Sequence, residues 1–432
     1  MRWKLMFAAC LAFLAMAALA NEESAKQLQD SDPKVREKAA KQLGDEDEPA
    51  NVAVLAIAVQ DGDEKVRMAV VKSLIHLGSP ASLQPLSTAV RDGLPEIRFL
   101  AIDGLVDFYL PGYLDRGFGG FFRSLGNKVE GLFSDVNTAV VAPGVTPDPE
   151  VVRTLAVTLN GAADMETRVR CAKALGILRA QDAVPDLLKA AYSNDVALII
   201  EVLRALQKIK DTSAGPRLSF LLSYPQKSVQ ESAAVTMGLL RTESAIPQLE
   251  SLLQSNDDKD LRAAALEALA YMPKKEIAPL FVKYLAAKDK QLRTSSALAL
   301  GRLRDAENLR LLEQAEGKEK DMEVRLALDF ALVDEGKMDA LKELVANLSS
   351  KVHRGEARPY LIELAREQPV RDALRPSLYA TDPEIRKNLC MVYAASGDMT
   401  SIVDLEGLLK DRDADVANEA SRAITAIRSR GM

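Results

Sequence analysis

The chain has 432 residues, with 56 Lys and Arg against 62 Asp and Glu, so its formal net charge at pH 7 is −6. A mildly acidic chain with mixed charges lacks the positive surface that attracts nucleic acids and anionic membranes, which argues against a nucleic-acid partner. Its two histidines, His76 and His353, lie far apart, and no phosphate-binding glycine loop or paired-cysteine motif occurs. We therefore predict no catalytic residue, no cofactor and no metal site.

The first twenty residues have the pattern of a secretory signal peptide. Arg2 and Lys4 precede an uncharged apolar run over residues 5–20, which ends in a small-x-small triplet. This pattern predicts cleavage between Ala20 and Asn21. An Ala-rich run of this length is short for a membrane anchor. We expect an exported protein, either periplasmic or extracellular.

From residue 21 onward one pattern returns about every 31 residues, a variant of Asp-x-x-Val-Arg. We take its aliphatic position as the marker of each repeat. The markers are Val35, Val66, Ile97, Thr167, Leu198, Val229, Leu261, Leu292, Val324, Ile385 and Val416. Self-similarity at this period predicts a stack of similar supersecondary elements without a single central core.

Each marker opens a predicted first helix of about three turns. Three positions before it stands an N-cap Asp in nine repeats: Asp32, Asp63, Asp164, Asp195, Asp258, Asp289, Asp321, Asp382 and Asp413. Arg usually follows the marker, four residues after this Asp, so the two side chains can meet on one helix face. Apolar or small residues at the marker and at four, five and eight positions beyond it form one buried stripe.

A second helix follows in each repeat. Its mark is a proline 18 residues after the marker, at Pro185, Pro216, Pro247 and Pro279. Proline suits the first turn of a helix, and Asp182, Ser213 and Ser244 stand where a cap is expected. Strand patterns are absent, so the predicted fold is all-α: helical hairpins over residues 21–110, 147–349 and 381–432.

Residues 111–146 interrupt the period and differ in composition. They contain Gly-rich and Pro-rich joints around an apolar stripe at helical spacing, formed by Phe118, Phe121, Phe122, Leu125, Val129, Leu132 and Phe133. The stripe predicts an amphipathic helix that either packs on the repeats or binds a partner protein. We favour packing, since aromatic stripes are usually core. Membrane contact through residues 118–133 is a third, less favoured alternative, because the polar face has no basic excess.

A second irregularity covers residues 350–380, where the marker is eroded and Pro359, Pro369 and Pro376 crowd the chain. We expect a degenerate repeat there, with irregular or broken helices. Cys171 and Cys390 occupy core positions seven repeats apart, which predicts free thiols.

The repeat resembles the HEAT repeat, and more narrowly the short HEAT-like form of phycobilisome lyases. The resemblance is carried by residues 32–44 (DPKVREKAAKQLG) and by 168–176 (RVRCAKALG) running into 183–188 (AVPDLL). It implies a right-handed α-solenoid of about 12 helical hairpins, with the second helices along the concave face and an Asp–Arg ladder between repeats.

The repeats and the export signal together predict a non-catalytic scaffold of the cell envelope that binds a protein partner of unknown identity. The concave face and the aromatic insertion would present the binding surface. The alternatives are a ligand-handling protein similar to the bilin lyases and a peripheral membrane-docking factor.

Overall fold

The computed structural model describes residues 23–46, 48–114, 139–142, 144–161, 164–255 and 258–430. All regular structure within these ranges is helical, which confirms the all-α solenoid fold. The helices form two compact units that divide between Leu218 and Ser219. Among the helices of the described ranges, none is both long and apolar enough to cross a bilayer. The predicted cleavage site at Ala20 and Asn21 lies outside these residues.

The N-terminal unit alternates long first helices with short second helices. Its first helices are α1 (Pro33–Asp45), α3 (Glu64–Leu77), α5 (Pro95–Tyr109), α7 (Met165–Ile177) and α9 (Val196–Ile209). Its second helices are α2 (Asn51–Ile57), α4 (Leu83–Ala89), α6 (Pro149–Asn160), α8 (Val184–Ala190) and α10 (Gly215–Leu218). The insertion therefore separates α5 and α6 of one hairpin.

The C-terminal unit continues the alternation. Its first helices are α11 (Lys227–Leu239), α13 (Lys259–Ala270), α15 (Lys290–Leu303), α17 (Met322–Asp334), α19 (Arg354–Leu364), α21 (Pro383–Ser396) and the final α23 (Ala414–Arg430). Its second helices are α12 (Ile246–Ser255), α14 (Ala278–Tyr284), α16 (Leu309–Glu316), α18 (Leu341–Ala346), α20 (Gln368–Leu374) and α22 (Ile402–Glu406). Where irregular or broken helices were expected, α19 continues through Pro359, Pro369 lies in the first turn of α20, and Pro376 lies in a 3-10 turn.

The predicted N-caps are confirmed. Asp63 is typical: its Oδ1 accepts hydrogen bonds from the backbone N–H groups of Lys65 at 2.9 Å and Val66 at 3.3 Å. All nine predicted Asp residues accept such bonds from the first turn of their helix. Each bond satisfies a backbone donor that has no partner inside the helix, and each carboxylate faces the positive end of the helix dipole.

The prolines of the second helices are also confirmed, but the caps predicted with them are not. Proline is the second residue of α8, α10, α12 and α14. Asp182, Ser213 and Ser244 lie inside 3-10 turns that come immediately before three of these helices. Because a 3-10 turn precedes the helix, the capping residue lies further upstream than predicted. Asp211, for example, accepts a hydrogen bond from the N–H of Ser213 at 2.9 Å.

The buried stripe of the first helices forms the core. The residue eight positions after each marker is at most 7% exposed in every repeat: Leu43, Leu74, Leu105, Leu175, Leu206, Met237, Leu269, Leu300, Leu332, Tyr393 and Ile424. Tyr393 adds a polar contact, since its hydroxyl donates to the carbonyl oxygen of Arg371 at 2.9 Å. Cys171 and Cys390 are buried free thiols, as predicted.

Adjacent first helices touch at backbone level through a glycine that the sequence analysis did not interpret. A Cβ atom on Gly301 would lie 2.5 Å from the Cα of Ala331 on the next first helix. The same contact recurs, always nine positions after one marker and seven after the next, in the pairs Gly44–Ser73, Gly176–Ala205 and Gly238–Ala268. The absence of a side chain at these points therefore sets the spacing of the stack.

A ladder of ion pairs links adjacent repeats. Arg36 donates to the carboxylate of Asp61 at 2.7 and 2.8 Å, and its third nitrogen donates to the carbonyl oxygens of Asp30 and Ser31. Asp61 stands two residues before the N-cap Asp63 of the next repeat, so this partner differs from the expected N-cap. The pairs Arg67–Asp92, Arg293–Glu319 and Arg386–Asp411 repeat this geometry. Arg98 instead donates to the N-cap Asp164 of the next repeat, as expected.

Candidate functional site: a groove along the first helices

Five consecutive first helices of the C-terminal unit, α11, α13, α15, α17 and α19, line a groove of about 640 Å³. The resemblance implied that second helices would line the concave face, whereas this groove is lined by first helices. Its lining residues stand at positions outside the buried stripe, and the smallest of them, such as Ala263 and Ala264, are themselves buried.

The floor and rim of the groove follow from where each residue stands in its repeat. On α13 the lining residues Ala263, Ala264 and Glu267 stand two, three and six positions after the marker Leu261, and Tyr271 stands ten after it. On α15 the equivalent lining positions hold Thr294, Ser295, Leu298 and Arg302. Small side chains at the first two positions form the floor. Longer ones at the last two form the walls.

One end of the groove is fixed by Arg302. Its guanidinium donates two hydrogen bonds of 2.8 Å to the carboxylate of Glu363 and one of 3.0 Å to the carbonyl oxygen of Ala270. The same group lies 5.1 Å from the ring centre of Tyr271 and 5.4 Å from that of Phe330. A bidentate, ring-stacked arginine of this kind is held in one orientation. It joins α13, α15, α17 and α19.

At this end of the groove, the charges of Arg302 and Glu363 neutralise each other. Burial acts to raise the pKa of Glu363, but the hydrogen bonds and charge of Arg302 hold the pKa below its usual value. The Glu363 carboxylate is therefore ionised and neutralised within the protein, and only 14% of the Arg302 side chain is exposed. This pair positions Tyr271 and leaves no charge of its own for a ligand.

Two other carboxylates of the groove are not neutralised in this way. Glu231 on α11 and Glu267 on α13 form no side-chain hydrogen bond or ion pair with any other residue that the structure describes. Burial raises the pKa of Glu267, and burial together with the nearby carboxylates of Asp258 and Asp260 raises that of Glu231. Burial penalises the ionised form of both groups, and the nearby cations Lys227 and Arg302 offset this penalty only in part.

The groove holds groups for binding and none that form a catalytic set. Its lining contains no histidine or cysteine. Across the described ranges, no three His, Cys, Asp or Glu side chains are grouped so that they could hold a metal ion. Carboxylates, tyrosine rings and small side chains recognise a ligand by charge and shape, without a nucleophile and base in contact.

The aromatic residues predicted as a partner-binding surface, Phe118 to Phe133, lie outside the described residues and stay a prediction. The described ends of the insertion contact the N-terminal unit. The N–H of Val141 donates to the carbonyl oxygen of Ile177 at 3.0 Å, and the Tyr109 hydroxyl accepts from the N–H of Asp148 at 2.8 Å. Lys173 lies 5.8 Å from the ring centre of Tyr113.

The groove was not predicted, because only the N-cap carboxylates of the repeat were interpreted. The usable signal was the position of the others: an acid six residues after the marker, as Glu267 is, cannot cap a helix. A tyrosine one turn later, at Tyr271, places a ring beside it on the same face.

Stacked helical hairpins with a continuous core define the class as an α-solenoid. The family model for HEAT repeats matches residues 22–106, 187–270 and 253–333, and that for the PBS lyase HEAT-like repeat matches residues 167–193. The chain therefore belongs to the HEAT repeat family. No curated protein matches it significantly.

Solved structures share the fold at low sequence identity. An engineered protein is 20% identical with a TM-score of 0.36, and the alignment covers 95% of this chain and 99% of that one. The complex of CpcE and CpcF of phycocyanin lyase from Nostoc sp. PCC7120 is 17% identical, with a TM-score of 0.38 and coverage of 60% and 92%. Importin beta is 13% identical, with a TM-score of 0.46 and coverage of 94% and 64%.

Proposed function

We propose that this protein is a non-catalytic scaffold of the cell envelope that holds a protein partner on the first-helix side of its C-terminal unit. The supporting observation is the groove, which combines unpaired carboxylates, tyrosine rings and a small-residue floor across five repeats. HEAT-repeat solenoids work by presenting extended surfaces of this kind to partners. The aromatic insertion is a second candidate surface, from the stripe that its sequence predicts.

The envelope location rests on the predicted signal peptide. Its test is the mass of the protein recovered from cell fractions. We expect a mature chain that begins at Asn21 in the periplasmic or secreted fraction. A full-length chain with residues 1–20 retained in the cytoplasm would refute export.

The scaffold role is tested by cross-linking and purifying the tagged mature protein from the envelope fraction. One stoichiometric protein partner, recovered after stringent washing, would support it. The alternative of a lyase-like ligand-handling protein draws on the match of residues 167–193 to the PBS lyase HEAT-like repeat. A tetrapyrrole or other coloured ligand bound to the purified protein, with no protein partner, would favour that alternative and overturn the scaffold.

The role of the insertion is tested separately with the double substitution Phe121→Ser and Phe122→Ser. If the stripe packs on the repeats, the midpoint of thermal unfolding falls, because two large apolar side chains lose their burial. If the stripe binds the partner, the midpoint is unchanged and partner recovery is lost.

A further inference from the structure

We propose that the groove binds an extended segment of a protein whose side chains include lysine or arginine, with one cation seated between Glu267 and Tyr271. This inference deepens the proposed function and rests on it. It specifies which chemistry the partner must bring to the C-terminal unit.

The first argument is charge. The groove lining holds the carboxylates of Glu231, Asp260, Glu267, Glu323 and Glu363 against a single cation, Arg302. Glu363 is paired with Arg302, Glu323 with Lys290 at 2.7 Å, and Asp260 lies 4.0 Å from Lys259. The remaining carboxylates, Glu231 and Glu267, leave a negative surplus in a partly desolvated channel, where a positive ligand gains more than it would at an open surface.

The second argument is the pairing of a carboxylate with an aromatic ring. Glu267 and Tyr271 are four residues apart, so their side chains lie on the same helix face. The guanidinium of Arg302 lies 5.1 Å from the centre of the Tyr271 ring and holds this ring beside Glu267. A lysine or arginine that approaches from the groove would pair with the Glu267 carboxylate, and its aliphatic stem would pack against the Tyr271 ring.

The third argument is shape. The groove crosses five first helices, and packed helices are about 8–10 Å apart, so its length is roughly 32–40 Å. An extended chain rises about 3.3 Å per residue, which corresponds to about ten to twelve residues. The floor of Ala263, Ala264 and Ser295 leaves room for a backbone along it. A small free cation would use only part of this length.

The test measures binding of labelled peptides to the full mature protein by fluorescence anisotropy. The probe is (Gly-Ser-Lys)4, with (Gly-Ser-Gln)4 and (Gly-Ser-Glu)4 as charge controls. The groove variant combines Glu231→Gln with Glu267→Gln. Its matched control combines Glu307→Gln with Asp339→Asn, which removes the same charge from exposed residues in turns beside second helices.

We expect the lysine peptide alone to bind, with affinity that falls as salt is raised. The groove variant should weaken this binding by about tenfold or more, and the control variant by less than about twofold. Equal weakening by both variants, equal binding of the glutamine peptide, or full displacement by spermidine at the concentration of the peptide's lysines would overturn the inference. So would a lysine peptide that does not bind.

The envelope purification separates this inference from the function on which it rests. If the groove variant recovers the same partner as the wild type, the partner binds elsewhere, so the groove inference fails and the scaffold stands. If neither protein recovers a partner, the scaffold itself fails. Loss of the partner only in the groove variant, with an unchanged thermal unfolding midpoint, supports both.

Discussion

Asp329 offers a direct test of the electrostatics in the C-terminal unit. It lies on α17 with only 3% of its surface exposed, and it forms no salt bridge with any residue of the described ranges. Burial raises the pKa of this carboxyl from 3.8 to about 7; Glu316 and Glu343 add to the shift and Arg325 opposes it. The folded protein therefore holds Asp329 neutral at pH 5 and charged above about pH 7.

The direction in which pH changes the stability follows from the difference between the folded and unfolded pKa values of Asp329. The unfolded chain loses this proton near pH 3.8 and the folded chain near pH 7, so the stabilising effect of the neutral form is complete below the first value. It is lost as the pH rises towards the second. At roughly 1.4 kcal/mol per pKa unit, the loss amounts to about 2 kcal/mol at pH 5 and about 4 kcal/mol at pH 8. The difference between these conditions is about 2–3 kcal/mol.

The perturbation is Asp329→Asn, which mimics the neutral acid at every pH. Urea unfolding of the mature protein, followed by circular dichroism at pH 5 and pH 8, gives the free energy of unfolding of variant and wild type. Other carboxylates contribute to both proteins, so they cancel in the difference. We expect the stability advantage of the variant to grow by about 2–3 kcal/mol between the two pH values.

The matched control is Asp339→Asn, whose side chain is 99% exposed. It should change the unfolding free energy by less than about 0.5 kcal/mol at either pH. An advantage of Asp329→Asn that does not vary with pH would refute the reasoning. So would a carboxyl ¹³C titration that places the midpoint of Asp329 near pH 4.

Two further substitutions test how the repeats are stacked. Gly301→Ala should lower the free energy of unfolding by about 1–3 kcal/mol, because the new methyl group meets the backbone of the next helix. Gly355→Ala, in a helix with no atom within 4 Å of the added carbon, should instead raise it by about 0.4–1 kcal/mol, and equal effects would contradict the close contact. For the ladder, Arg386→Met should destabilise by about 3–5 kcal/mol, since Asp411 is left buried without its cation. A double-mutant cycle with Asp411→Asn should give a coupling above about 1 kcal/mol, and additive effects would show that the pair contributes little.

The features predicted correctly are those that one helix determines alone. A carboxylate three residues before an apolar stripe, such as Asp63 before Val66, can only cap that helix, and the residue eight positions on must share the face of the marker. The pattern therefore located the first helices, their caps and their core without knowledge of the neighbouring repeats.

The features missed depend on how one hairpin lies against the next. Arg36 could reach either Asp32 or Asp61 as far as the sequence shows. The choice became clear only when the stack placed the next loop beside the guanidinium and the first helix engaged Asp32 as its cap. The groove also depends on how the hairpins stack. Glu231 and Glu363 are 132 residues apart in the chain, and they line one groove only because five first helices pack side by side.

Some positions that line the groove, such as that of Glu267, belong neither to the caps nor to the ladder nor to the buried stripe. Substitution at such a position leaves the contacts that hold the repeat together in place. Six residues after the marker, the N-terminal unit carries mainly cations, at Lys41, Lys72, Lys173 and Arg204. In the C-terminal unit this position varies in character, with Val235, Glu267, Leu298, Phe330, Met391 and Arg422. A position required for the fold would keep one character, as the N-cap Asp does. The carboxylate of Glu267 is therefore a local feature of the groove, and this position is the first place to alter its specificity.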